Sequence, residues 1–366
     1  MKNFKIILTF LPLTFFIFKV SDVTKSLLLH PTEKYAKPDS SRKCCQNVRI
    51  AFYNTENLYD PYDDTTKLDN EFTAEGIRHW SYSRFQSKIN HLSKTLIAIG
   101  NPEPPALIGL CEVENRYVLN KLIYNSPLKR FRYAILHHES PDLRGVDVAL
   151  LYRKEYAVIL ATRFYPIIFP FDTSLKTREI LYAKIVLNAA DTLHIFVNHW
   201  PSRLGGYQET REKRRYVAWV LRKAVDSVIG AEVHPKIVIM GDFNDGPGDE
   251  SLVTILKARA GLTPSDPDGL VNLMYDKLRN PEQGTHKYQG EWNILDQFII
   301  SGMLLTDRKG LHASLQDAHI FNAPFLMDQD EKYFGSRPER TYSGPRYLGG
   351  FSDHLPVWLE LRYNEK

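Results

Sequence analysis

The chain has 366 residues, of which 43% are hydrophobic and 25% charged, and a formal net charge of +4. That length suffices for one large core or two small ones, and the composition excludes a fibrous, low-complexity or wholly disordered chain. The mild basic excess fits a polyanionic substrate without requiring one, because a dedicated nucleic-acid binder usually carries a stronger basic stripe.

The chain opens with Lys2 and Lys5, followed by a nearly unbroken apolar run from Ile6 to Phe18. This is the length of a signal-peptide core and short for a membrane span. Residues 1–24 are therefore read as an export signal, with an uncleaved anchor or a buried helix as the alternative. Ser21-Asp22-Val23-Thr24 gives no clean cleavage pattern, and no cysteine follows closely enough to accept a lipid. The expected location is periplasmic, secreted or membrane-tethered. Residues 25–46 are polar and aperiodic and read as a tether. Residues 47–363 contain no long linker, repeat or low-complexity tract and read as one domain. Of three cysteines, Cys44 and Cys45 precede that domain and Cys111 lies in an apolar run. They make no disulfide scaffold and no zinc spacing, and Cys111 reads as a small core residue.

Within the domain, short apolar runs alternate with amphipathic ones. Runs at 48–53, 106–111, 148–152, 193–197, 236–240, 295–300 and 356–361 have the length and the turn-forming borders of buried strands. Residues 83–99, 114–124 and 208–229 place apolar side chains at helical spacing, with charges opposite. Many strands with interspersed helices predict two packed sheets with helices outside. The third helix carries a basic run, Arg211, Lys213, Arg214, Arg215, Arg222 and Lys223, which is either a solvated face or a phosphate-facing patch. Residues 306–347 lack strong periodicity and read as a long loop region beside the site.

The polar residues that flank these strands carry the chemistry. The first strand leads into Asn54-Thr55-Glu56, the second into Glu112, the fourth into Asn198-His199, and the fifth into Gly241-Asp242-Phe243-Asn244. Asp296 stands at the start of the sixth, and Ser352-Asp353-His354 precedes the last. One strand-end Asp is ordinarily a turn former; the repetition at strand after strand points to a shared cleft. Glu112 suits a hard divalent cation, which is held by few carboxylates together with substrate and water. Asn54 and Glu56, two apart, are expected to face that metal or its waters. Asp242 and Asn244 likewise share a side, the carboxylate for a water and the amide for a phosphate oxygen. Asp353 and His354 point apart: Asp353 toward metal, His354 toward a carboxylate that fixes its tautomer, with Asp296 as the candidate. His199 and Arg203 are phosphate donors, and Trp200 is a core residue. Asp147 is a candidate to orient His199. Arg144 and Arg178 precede strands and face either substrate or salt-bridge partners. Tyr207, Tyr288 and Tyr342 read as base-stacking residues or as loop packing.

Taken together, Asn54 with Glu56, Leu110-Cys111-Glu112-Val113, Asn198-His199, Gly-Asp-Phe-Asn at 241–244, Leu-Asp-Gln at 295–297 and Ser-Asp-His at 352–354 resemble the endonuclease/exonuclease/phosphatase superfamily over residues 47–362. That resemblance implies a four-layered α/β sandwich, two packed mixed β-sheets flanked by helices, with the site at the sheet edges. It implies metal binding by Glu112 with Asn54 nearby and Asp353 in support, with Glu56 at a position that relatives often fill with another residue. It implies catalysis by His199, Asp242, Asn244, Asp296 and His354; Arg144, Arg178, Arg203 and Tyr207 are the expected substrate contacts. The expected cofactor is Mg²⁺, with Mn²⁺ or Ca²⁺ as alternatives. The expected function is that of a secreted endonuclease, acting as a monomer on DNA before RNA, with no obligate protein partner. The alternatives are a phosphatase or phosphodiesterase on lipid head groups or small phosphate esters, and a non-catalytic nucleic-acid-binding module. The Trp-Cys-Asp-Arg pattern of inositol phosphatases is absent, Trp292-Asn293-Ile294-Leu295-Asp296 standing in its place.

Overall fold

Period-two burial builds two sheets and three apolar layers. The computed structural model describes residues 47–364 except 101–102, 188–190, 262–265 and 308. The expected signal, the tether and Cys44-Cys45 lie outside the described residues. In chain order the strands of the large sheets are β1 (Asn47–Leu58), β2 (Leu107–Val113), β3 (Tyr133–His137), β4 (Asp147–Arg153), β5 (Ala157–Tyr165), β6 (Ile180–Leu187), β7 (Asp191–His199), β8 (Ile237–Asp242), β9 (Ala258–Arg259), β10 (Leu270–Asn272), β11 (Asp296–Ser301), β12 (Gly310–His312), β13 (Ala318–Ile320) and β14 (Val357–Asn364). The first seven-stranded sheet runs β12-β14-β1-β2-β4-β3, with β13 also paired to β14; the second runs β5-β6-β7-β8-β11-β10-β9.

Alternate side chains of each central strand enter different layers, as the pleat requires. Ile50 and Phe52 of β1 face Val238 and Met240 of β8 in the core between the sheets. Ala51 and Tyr53 face outward, beneath Phe85, Ile89, Leu92 and Leu96 of helix α1 (Tyr82–Gly100) and Val118 and Leu122 of α2 (Arg116–Tyr124). On the other side Phe196, Ile237 and Ile239 pack beneath Val217, Leu221 and Val225 of α3 (Tyr207–Ala231). The order of layers is helix, sheet, sheet, helix. Truncating Phe52, fully buried in the central layer, would cost roughly 3–5 kcal/mol.

Strand direction decides where the polar ends meet. β1 and β2 are parallel, as are β7 and β8. β14 is antiparallel to β1, and β11 is antiparallel to β8. The C-terminal ends of β1, β2, β7 and β8 and the N-terminal ends of β11 and β14 therefore lie at one edge. Gly241 fits there because a Cβ would meet the Asn198 carbonyl oxygen at 2.5 Å. Only glycine lets β8 lie this close to β7, with Asp242 in register with His199.

Residues 306–347 are not one long loop. They hold β12 and β13 and two further small hairpins, 327–329 with 336–338 and 342–343 with 346–347. Strands of two or three residues are too short to display a period. The segment 339–343 does pack against the site.

Candidate active site

The core of the site is a pair of carboxylates and a pair of imidazoles. His354 Nδ1 is 2.6 Å from Asp296 Oδ2, and its Nε2 faces Asp242 Oδ2 at 3.9 Å. Asp242 Oδ2 accepts from Asn54 Nδ2 at 3.0 Å, and Asp242 Oδ1 accepts the Asn244 backbone N–H at 2.9 Å. His199 Nε2 stands 3.8 Å from Asp242 Oδ2 and 3.7 Å from Glu112 Oε1. Glu112 receives Asn57 N–H at 2.9 Å and Asn54 Nδ2 at 3.4 Å. Asn54, Glu112, His199, Asp242, Asn244, Asp296 and His354 are thus brought together from five strands and two loops. Glu112 and Asn244 hold positive φ angles, 57° and 51°, a strained backbone for residues other than glycine and one that turns their side chains into the cleft.

Electrostatics separates the roles. Burial pushes the Asp242 carboxyl up to about 6, against the pull of the His354 charge. Burial also opposes charge on His354, but the Asp296 and Asp242 carboxylates outweigh it and hold the imidazole well above its usual range. His199 is driven the other way by burial and by Arg178, Arg144 and His354, and stays neutral. Glu112 is raised by burial and by the charge of Asp353. Crowded carboxylates lifted in this way are what a cation relieves. Glu112 and Asp242 offer hard oxygen donors, and the residues present fit a divalent metal ion.

Several expected residues have other duties. Glu56, at φ 48°, turns away from Asn54; its carboxylate accepts the Thr341 and Tyr342 backbone N–H groups at 2.6 and 3.2 Å and lies 3.9 Å from Lys88 Nζ. The positive φ breaks the alternation that would have aimed it at the metal. Asp353 is paired with Arg340 at 2.7 Å; burial is outweighed by His354 and Arg340, which hold it down to about 2. Asp147 does not orient His199: it binds Ser140 and His137, while His199 Nδ1 is buried without a hydrogen-bond partner. Arg178 bonds Asp142 and the Trp200 carbonyl, so it ties the β3–β4 loop to the segment just after β7 rather than facing solvent. Arg203 bonds the Asn244 carbonyl and Asp249, and Tyr207 donates to Asp249. Arg144 is the more available cation, with a side chain 43% exposed. Tyr342 is buried, donating to the Arg78 carbonyl, whereas Tyr288 is 63% exposed. The basic run on α3 is largely neutralised: Arg211 and Arg215 pair with Glu250, Arg214 with Asp245 and Arg222 with Asp226. Trp200 is a core residue edge-on to Phe243.

Two residues at this edge carry no strong sequence signal. His286 lies against His354, ring centroids 4.7 Å apart, with its Nδ1 buried and unpartnered. It sits in a three-residue strand, His286–Tyr288, too short to stand out. Arg340 lies in the aperiodic segment, where Arg337 and Arg346 are equally plausible partners for Asp353 by sequence alone.

A four-layered sandwich with these groups at one edge defines a divalent-metal-dependent hydrolase of phosphate-ester bonds. A family model described as Endonuclease/Exonuclease/phosphatase family matches residues 49–363, and the chain belongs to that family. Among solved structures, a humanized Danio rerio TDP2 has a TM-score of 0.53 at 12% identity, covering 87% of this chain and 100% of that one. A mannosyl-6-phosphatase from Bacteroides thetaiotaomicron gives 0.52 at 12% identity, covering 86% and 100%. The human Nocturnin catalytic domain with bound sulfate gives 0.50 at 15%, covering 87% and 95%. At these identities the likeness concerns the fold. No curated protein matches the chain significantly.

Proposed function

We propose that the chain is an exported phosphodiesterase that cleaves nucleic acid, DNA before RNA, by in-line attack of an activated water, and that it acts as a monomer with Mg²⁺, Mn²⁺ or Ca²⁺. The observation that carries the hydrolytic reading is the convergence of Asp242, His354 and His199 on one point, with Asp296 behind His354. Asp242 is buried, is held in place by Asn54 and the Asn244 amide, and has a carboxyl raised toward neutrality. It orients the attacking water and accepts its proton. His354, kept cationic by Asp296, donates from Nε2 to the oxygen on which charge grows. His199 is neutral and donates one N–H to a phosphoryl oxygen; the Asn244 amide adds a second donor, its other N–H being spent on the Trp200 carbonyl. Glu112, with Asn54 beside it, would hold the cation, which when bound would screen the repulsion between nucleophile and phosphate and stabilise the leaving oxygen.

For substrate, Arg144 near His199 and the exposed Tyr288, two residues along from His286, support a chain of phosphates with stackable bases. A second reading, a small phosphate ester or lipid head group, is favoured by the pairing of the α3 cations with acids, which leaves a modest basic surface. Structural likeness to a mannosyl-6-phosphatase fits that reading as well. The deciding assay offers purified protein plasmid DNA, RNA, sphingomyelin, phosphoinositides and an aryl phosphodiester with each metal. Nicking of supercoiled DNA that EDTA stops supports the first reading. Turnover of lipids or small esters alone replaces it with the second, and tight DNA binding without turnover removes catalysis. Export is tested by fractionating cells that express the full chain: protein confined to the cytoplasm contradicts it.

A further inference from the structure

Sequence spacing gives the cysteines no metal partner, but the fold supplies one. β2, β7 and β8 converge where Cys111, His199 and Asp242 stand, all of them buried. The Cys111 sulfur, a His199 ring nitrogen and an Asp242 carboxylate oxygen lie within 4.8 Å of one another. The neighbouring group of Asp242, Asp296 and His354 is equally compact but has no sulfur. His199 also has a second, independent peculiarity: its Nδ1 is buried and has no protein hydrogen-bond partner.

We propose that Cys111, His199 and Asp242 form a soft-metal site for Zn²⁺ that adjoins the hard-cation position at Glu112 and shares Asp242 with it, and that filling it silences the enzyme. Thiolate, imidazole and carboxylate are zinc's preferred donors, whereas Mg²⁺ takes oxygen. Zinc bonds of about 2.0–2.3 Å set tetrahedral ligands roughly 3.5 Å apart, so donors within 4.8 Å of one another must draw together to close on the ion. A water completes the fourth position. On binding, the Cys111 S–H bond breaks, a sulfur–zinc bond forms and the proton leaves to solvent; no oxidant or reductant is involved. With no metal present the thiol is a core side chain, packed in the layer between the sheets. The inhibitory consequence rests on the proposed roles of Asp242 and His199; the binding itself does not.

The test uses the full chain carrying Cys44→Ser and Cys45→Ser, so that only Cys111 can supply sulfur. Metal-free protein is titrated with Co²⁺ and then Zn²⁺. The expected result is a thiolate-to-cobalt charge-transfer band in the near ultraviolet that Zn²⁺ displaces. The band should vanish in both Cys111→Ala and Cys111→Ser. Loss of this ligand should weaken zinc binding by about 100-fold or more, since even residues that only support a ligand are worth about 10–100-fold. Mg²⁺-dependent turnover by Cys111→Ala should persist and should no longer be blocked by micromolar Zn²⁺. Absence of the band in the parent protein, or equal zinc affinity with and without Cys111 sulfur, overturns the proposal. A chain that hydrolyses no phosphate ester yet shows the band would sink the proposed function and the inhibition while leaving the zinc site standing.

Discussion

His354 Nδ1 and Asp296 Oδ2 are 2.6 Å apart, across the sheet edge where the two sheets meet, and the other Asp296 oxygen is buried without a partner. The carboxylate therefore has one principal task, to hold the imidazole with Nε2 turned to the cleft. Thr285 Oγ1 accepts the backbone N–H groups of Leu295 and Asp296 and fixes the strand start that presents it. Asp296→Asn keeps the shape and removes the charge. We expect kcat to fall by about 10²–10⁴ with KM little changed, since proton transfer by a positioned group is worth that much. Circular dichroism should be unaltered. An Asp296→Asn protein with near-normal kcat would remove Asp296 from the mechanism.

Glu112 and Glu56 should respond differently to metal. Glu112 faces Asp242 and His199, whereas the Glu56 carboxylate is occupied by two backbone amides from the 341–342 segment. Glu112→Gln is expected to raise the Mg²⁺ concentration needed for half-maximal turnover by at least about tenfold, the lower end of what even supporting residues contribute. Glu56→Gln should leave that concentration within about twofold, which is smaller than any of those contributions. Equal shifts in the two variants would restore Glu56 to the metal set.

Glu56 also gives stability a pH dependence. Burial and the Asp353 charge push its carboxyl up to about 7, above the ordinary value of 4.5. A raised folded pKa means the folded state binds the proton more tightly than the unfolded chain. Its contribution is complete below 4.5 and is lost as the pH rises through about 7. Urea denaturation of wild type and Glu56→Gln across this window should show wild type losing stability relative to the variant as the pH rises. A difference that stays flat, or that changes in the opposite sense, contradicts the burial argument.

The ring of His286 leans on that of His354, and burial together with the His354 charge pushes its pKa down to about 3. A neutral second imidazole at this place can both support His354 and hydrogen-bond substrate. Replacement by Phe retains the ring contact and removes the nitrogens. We expect kcat/KM to fall about tenfold, the value of one good hydrogen bond, with unchanged thermal stability. If His286→Phe is fully active and only His286→Ala is impaired, the residue acts by packing.

The outline of this site was readable because buried strands announce themselves as apolar runs, and the polar residue ending each run is where a parallel or antiparallel arrangement can gather it. The helices at 83–99 and 208–229 fall within a residue or two of Tyr82–Gly100 and Tyr207–Ala231 for the same reason: their apolar stripes are long. Strands β5 and β6 escaped notice because half-buried positions such as Arg163, Tyr182 and Lys184 interrupt their apolar pattern. Glu56 misled because a single positive φ reverses the side that alternation assigns. For Arg203, Tyr207 and the α3 cations, the partners Asp245, Asp249 and Glu250 lie across a turn that only the folded chain brings near. Charge in a sequence shows that a partner is needed, not whether it is substrate or protein.

The most direct test of the central claim compares wild type, Asp242→Ala and His354→Ala on an aryl phosphodiester and on supercoiled plasmid, with Mg²⁺ and with EDTA. The account predicts metal-dependent turnover by wild type, its loss with EDTA, and no measurable turnover by either variant although both remain folded. Retained turnover in both purified variants, or wild-type turnover unaffected by EDTA, would contradict it.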